Sequence, residues 1–71
     1  MKEYAVIFEW ANSNYSAYVP DLPGCVSTGK TLDEARTNIR EAIEGHLSIM
    51  AEFGEPIPDP TTVAESIRLT A

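Results

Sequence analysis

An apolar stripe at helical spacing constrains this chain more than any other feature. Leu32, Ala35, Ile39, Ala42, Ile43, Leu47, Met50 and Phe53 recur at intervals of three and four residues. Arg36, Arg40, Glu41, Glu44 and Glu52 flank the stripe. Thr31-Leu32-Asp33-Glu34 opens it with a capping-box pattern, and Asp33 and Glu34 suit the positive end of a helix dipole. Gly54 fits the position just past the end, and Pro56 cannot continue a helix. The pattern predicts one helix from about Leu32 to Phe53, roughly 33 Å long at 1.5 Å per residue. Gly45 inside it costs about 1 kcal/mol against alanine. It marks either close approach by another backbone or a tolerated position.

The remaining segments read as strands. Tyr4, Val6, Phe8 and Trp10 alternate with Ala5, Ile7, Glu9 and Ala11, a period of two rich in β-branched and aromatic residues. Asn12-Ser13-Asn14 tolerates left-handed backbone and forms tight turns. Tyr15 to Val19 alternates again, completing a hairpin that Pro20 ends. Pro20-Asp21-Leu22-Pro23-Gly24 is a rigid corner, with two fixed φ angles and a glycine. Cys25 to Thr28 reads as a short third strand, with Gly29 as a break before the helix. Pro56-Ile57-Pro58-Asp59-Pro60 reads as an extended connector. Val63, Glu65, Ile67 and Leu69 then alternate with Ala64, Ser66 and Arg68, which predicts a fourth strand. The class is α+β in the order β-β-β-α-β, one helix packed on a four-stranded mixed sheet. The first three strands are antiparallel, and a right-handed crossover returns the fourth beside the first and parallel to it.

Seventy-one residues form a single domain, 1–71, with a thin core. The one cysteine cannot close an intrachain disulfide, and one histidine with one cysteine falls short of a zinc set. A partner chain is the expected support: a homodimer or higher homo-oligomer through the sheet face that the helix leaves uncovered, where Tyr, Trp or Ile side chains are expected. Five basic residues against eleven acidic ones give net −6 and a pI near 4.4. Without a basic cluster the chain is not expected to bind nucleic acid directly. Its acidity serves solubility or suits a basic partner. The longest early apolar run, Ala5 to Phe8, is far short of a membrane span of about 20 residues or a signal core. A cytoplasmic protein with no membrane association is expected.

The residues offer little chemistry. Cys25 and His46 are the one thiol–imidazole pair, assigned to a strand edge and to the helix; they read as a small buried hydrophobe and a boundary histidine. Glu9, Glu41, Glu44 and Glu65 are the carboxylates to weigh, because β-β-β-α-β is part of the ribonuclease H architecture, in which acidic residues hold two metals. Glu41 and Glu44 project away from the apolar stripe, however, and neither outer strand carries an aspartate. No metal site, catalytic set or cofactor is expected. Pro23-Gly24 and Thr28-Gly29-Lys30 match neither the P-loop nor the dinucleotide fingerprint.

Tyr18-Val19-Pro20-Asp21-Leu22-Pro23-Gly24-Cys25, then Gly29-Lys30-Thr31-Leu32-Asp33-Glu34-Ala35 and Asn38 to Ile43, and finally Gly54-Glu55-Pro56-Ile57-Pro58 resemble the HicB family of antitoxins in order and spacing. The resemblance covers almost the whole chain. It implies a truncated ribonuclease-H-like fold without nuclease activity. It also implies a partner, a HicA-type toxin: a small basic ribonuclease that cleaves mRNA using a histidine. Many members carry a C-terminal DNA-binding segment. This sequence ends at Ala71, so a short form without that segment is expected, and autoregulation is not carried over.

On this reading the antitoxin covers the toxin's substrate groove and performs no chemistry. Candidate contacts are Asp21, Leu22, Pro23, Gly24 and Cys25 of the corner, the neighbouring Tyr18, and Trp10 with Glu9. Each has a plainer alternative: Leu22 and Pro23 cap the core, and Trp10 is buried by self-association. Two other functions stand beside it, an oligomeric scaffold or ligand-binding domain with a degenerate ribonuclease-H-like fold, and a metal-dependent nuclease.

Overall fold

Three strands and one helix succeed one another in the computed structural model, which describes residues 2–70: β1 (Ile7–Trp10), β2 (Tyr15–Tyr18), β3 (Val26–Gly29) and α1 (Leu32–Glu52). The strands form one antiparallel sheet in the order β1-β2-β3. Trp10 pairs with Tyr15 at the end of the first hairpin, and Asn12 takes φ +66° in the loop. Asparagine tolerates that left-handed conformation better than most residues.

Helix α1 begins and ends as its capping residues dictate. The Thr31 hydroxyl accepts from the Glu34 amide at 3.1 Å. The Glu34 carboxylate reaches back past Thr31 to accept from the Lys30 amide, also at 3.1 Å. At the other end Gly54 has φ +70° and donates to the Ala51 carbonyl, while the Glu55 amide donates to Met50. These two bonds are the Schellman arrangement that satisfies the last carbonyls of a helix. Gly45 is exposed, and a Cβ there would meet nothing within 4 Å, so it is tolerated and no backbone approaches it.

Gly29 behaves differently. It belongs to β3, one residue beyond the expected end of that strand, and the first turn of α1 lies directly on it. A Cβ at Gly29 would stand 2.4 Å from the Ala35 amide nitrogen and 2.8 Å from the Ala35 Cα. The missing side chain sets the distance between helix and sheet.

The core is small. Ala17, Val19, Leu22, Cys25 and Ile39 form one buried cluster, with Tyr4, Val6, Phe8, Ala42, Ile43 and Leu47 packed around it. Helix α1 covers β3 and β2 and scarcely reaches β1. Its apolar stripe outruns the sheet, which leaves Phe53 exposed.

The expected fourth strand is absent among the described residues. Residues 55–70 carry no regular structure among the described residues, and Val63, Ile67 and Leu69 face solvent. The connector is tied back before that point: the Lys2 ammonium pairs with Asp59, and the Tyr4 hydroxyl donates to the Pro58 carbonyl. Beyond Thr62 the segment runs opposite β1 without pairing, so its alternation finds no ladder within the chain. Of the β-β-β-α-β order expected from the sequence, the first three strands and the helix are formed.

Candidate partner-binding surface

Register decides which side chains share a face. Phe8 pairs with Ala17 and packs on the core, so residues of the other parity point away from the helix. Ile7 pairs with Tyr18, and Tyr18 pairs with Val26. These three side chains make an apolar row straight across the open face of the sheet. Tyr18 and Val26 are exposed and Ile7 half-buried. The next row, Glu9, Ser16 and Thr28, is polar and carries one carboxylate. An aromatic side chain between two branched aliphatic ones, with a charge at the rim, has the make-up of a protein-binding patch.

The residues singled out from the sequence divide between separate places. Tyr18 and Glu9 are on the open face. Trp10 shares the parity of Phe8 and lies on the helix side, at the hairpin end of the sheet. Its ring meets Tyr15 edge to face, with centroids 5.0 Å apart and planes at 65°. The corner lies at the opposite end of β2, so Trp10 and the corner form no single patch.

Within the corner, Pro23 and Gly24 are exposed, but Leu22 and Cys25 belong to the core. The cause is two successive turns. The Leu22 amide donates to Val19 at 3.0 Å and the Cys25 amide to Leu22 at 3.0 Å, while the Val19 amide closes the loop onto Cys25 at 3.2 Å. Pro23 and Gly24 are central in the second turn, and φ +82° at Gly24 is the geometry of a type II turn. The folded-back chain aims Leu22 and Cys25 inward, so they shape the corner and offer a partner no surface. Burial also pushes the Cys25 thiol up, away from the reactive thiolate.

Asp21 is engaged within the chain. One carboxylate oxygen accepts from the Thr61 and Thr62 amides, both at 3.0 Å, and the other from their hydroxyls at 3.0 and 2.8 Å. The Thr62 amide contributes most, and the four bonds together hold the Asp21 carboxyl down from the usual 3.8 to about 2. A carboxyl whose folded pKa is depressed favours the folded arrangement above its unfolded value and loses that contribution as pH falls through the folded one. The Thr61 and Thr62 amide resonances should therefore hold steady above about pH 4 and move through a transition near pH 2. In Asp21→Asn, with one carbonyl oxygen for two amides and two hydroxyls, both amides should exchange faster near neutral pH. Unchanged exchange would count against the clasp.

Other chemistry is sparse. Glu9 on β1, Glu41 and Glu44 on α1 and Glu65 in the segment after the helix are all exposed. Among the described residues no group of three or more His, Cys, Asp or Glu is arranged to hold a metal ion. Half-buried His46 lines a cleft with Pro23, Met50 and Glu55, while Cys25 is buried. Among the described residues no helix is long and apolar enough to cross a membrane. Of the Tyr, Trp or Ile side chains expected on the open face, Tyr18 and Ile7 are there and Trp10 is not, and sequence reasoning named neither Ile7 nor Val26 among the contacts. Their signal was their parity relative to Phe8 and Cys25, legible once the strand register is known.

Comparison with known proteins adds a family. Residues 4–70 match the model of the HicB-like antitoxin of bacterial toxin–antitoxin systems. An uncharacterized 14.9 kDa protein from the rep–hol intergenic region of Haemophilus phage HP1 is 41% identical over 64 residues, 90% of this chain and 48% of the phage protein. The chain thus spans about half the length of that relative. A UPF0150 protein of Thermoplasma acidophilum is 40% identical over 58 residues, 82% of this chain and 84% of its own. Among solved structures, the N-terminal domain of Burkholderia pseudomallei antitoxin HicB superposes with a TM-score of 0.71 at 37% identity, covering 83% of this chain and 70% of that one. A chain of the HicA3 and HicB3 toxin–antitoxin complex gives 0.72 at 27% identity, covering 84% and 70%.

Proposed function

The chain belongs to the HicB-like antitoxin family of bacterial toxin–antitoxin systems, and from that premise we propose that it acts in the cytoplasm as the non-catalytic antitoxin of a HicA-type ribonuclease, which it binds and occludes. The family match along nearly the whole chain carries this reading. The likeness to a chain of a toxin–antitoxin complex supports it. In fold terms the three strands and helix are read as the remnant of a ribonuclease-H-like sheet.

Occlusion asks for area, shape and charge, and no reacting group. A toxin that grips RNA phosphates presents basic surface, and a chain of net −6 complements it. Long-range attraction of that kind acts mainly on the rate of encounter. Anchoring falls to desolvated apolar contacts near the centre of an interface. The row Ile7, Tyr18 and Val26 supplies them, with Glu9 beside it and the exposed Pro23-Gly24 turn as a rim. Trp10 is read as a contact only for a toxin that wraps the hairpin end of the sheet. Asp21 steers little, because its carboxylate already holds the connector.

The test is to purify the chain with the small basic ribonuclease encoded beside it and titrate RNA cleavage. Cleavage should fall to zero at a fixed molar ratio, and added salt should slow association. Tyr18→Ala and Val26→Asp should raise the dissociation rate at unchanged thermal stability, by about 1–3 kcal/mol as for ordinary hot spots. Full cleavage in the presence of excess folded antitoxin would sink the reading. Unaltered inhibition by both variants would move the interface off the open face.

A further inference from the structure

The negative charge of this chain is unevenly placed. Residues 1–40 hold five carboxylates against four cationic side chains, whereas residues 41–71 hold six against Arg68 alone. The last turn of α1 has no basic residue to offset the negative end of the helix dipole. Glu52 and Glu55 stand there exposed. The same end is apolar. Ile49 is 57% exposed, and Phe53, one turn on at the C-cap, is 72% exposed where the helix has outrun the sheet. His46 and Met50 adjoin them at helical spacing and form a cleft with Ile49, Glu55 and Pro23 of the corner.

We propose that the far end of α1 is a docking surface for the basic ribonuclease, whose cationic side chains meet Glu52 and Glu55 while an apolar one settles against Ile49 and Phe53. This rests on the antitoxin reading and adds a contact outside the open face. The two surfaces are continuous. The corner joins the end of β2 to the start of β3, so Tyr18 and Val26 stand at the same end of the sheet as Pro23. A partner anchored on the open-face row that wraps the exposed Pro23-Gly24 turn arrives at Ile49 and Phe53.

Charge selects the occupant. The open-face row offers anchoring but little steering, because Glu9 is the one carboxylate beside it. The far end of α1 has the reverse emphasis, and Glu52 and Glu55 make no ion pair among the described residues. A second copy laid there would set carboxylate against carboxylate, and nucleic acid would be repelled. A basic protein gains on both counts: its cations meet unpaired carboxylates, and its apolar side chain is desolvated together with Phe53 and Ile49. An aromatic and an aliphatic side chain ringed by charge have the make-up of an interface hot spot and its rim.

The experiment measures binding of the full chain to the small basic ribonuclease encoded beside it, by surface plasmon resonance at low and high salt. Glu52→Gln with Glu55→Gln should slow association roughly threefold to tenfold at low salt, the gap closing as salt rises. Asp33→Asn with Glu65→Gln removes the same charge at the other end of α1, where Glu65 lines a cleft with Leu32 and Arg36, and should slow it less. Phe53→Ser should leave association alone and speed dissociation roughly tenfold. All three variants change exposed side chains, so each should keep the wild-type circular dichroism. In labelled antitoxin the amides of residues 46–55 should shift when the ribonuclease is added. Equal slowing by the two charge pairs would mean that net charge alone steers, and it overturns the proposal. So does unaltered dissociation of Phe53→Ser, or a set of amide shifts that spares residues 46–55. In those cases the wild type still inhibits and the antitoxin reading stands, whereas a wild type that neither binds nor inhibits removes both.

Discussion

Leu22→Ala should lower the unfolding midpoint more than truncation of any other aliphatic side chain in the body. Leu22 is 1% exposed and is the largest fully buried side chain among the described residues. Its removal costs the transfer free energy of the lost atoms and leaves a cavity, together about 2–5 kcal/mol for such a site. Collapse around the cavity is restricted, because the three backbone hydrogen bonds of the double turn hold both flanks of the residue. Natural domains have about 0.05–0.15 kcal/mol of stability per residue, roughly 4–11 kcal/mol for 71 residues. The variant should therefore lose a large share of its margin, read as a fall in the urea midpoint with unchanged slope. A loss below about 1 kcal/mol would mean that the corner repacks freely. A fully stable Leu22→Ala that no longer inhibits a toxin would place this side chain at the interface after all.

The second large effect belongs to a residue with no side chain. Gly29→Ala brings a methyl group to 2.4 Å from one backbone atom of α1 and 2.8 Å from another. Neither neighbour is the flexible end of a side chain, so the helix must lift from β3 or the strand must bend. Overpacking typically costs 1–3 kcal/mol, and a clash against backbone belongs at the upper end, about 3 kcal/mol or more. For a domain of this size that corresponds to a fall in Tm on the order of 10–20 °C. Gly45→Ala, a substitution of the same kind with open space around it, is the control and should be neutral or stabilising. Equal melting of the Gly29→Ala variant and the wild type would disprove the close contact.

Whatever a short stretch of chain decides by itself was legible in the sequence. The stripe and its caps defined α1 to within a residue, because Thr31, Glu34 and Gly54 act on backbone groups only a few positions away. The first hairpin and the corner were legible for the same reason. The failures involve how segments meet in space. Alternation at Val63, Ile67 and Leu69 states that the segment suits an edge, and it says nothing of which edge lies within reach. Leu22 and Cys25 stood as candidate contacts beside a plainer reading as core, and the doubled turn decides for the core by carrying both inward. Asp21 looked available to a partner because its four donors sit 40 and 41 positions away. Gly29 read as a break in the chain, and its requirement comes from the helix above it.

Strand pairing and helix packing here join segments that are neighbours along the chain: β1 with β2, β2 with β3, and β3 with α1, with α1 skipping back only to β2. Topologies dominated by such local pairing fold quickly, since little loop-closure entropy opposes each step. Translation adds a direction. The body is complete once α1 has left the ribosome, before the residues that clasp Asp21 and before the exposed segment behind them. A nascent chain can thus fold its core while the exposed apolar segment behind it is still unsynthesised.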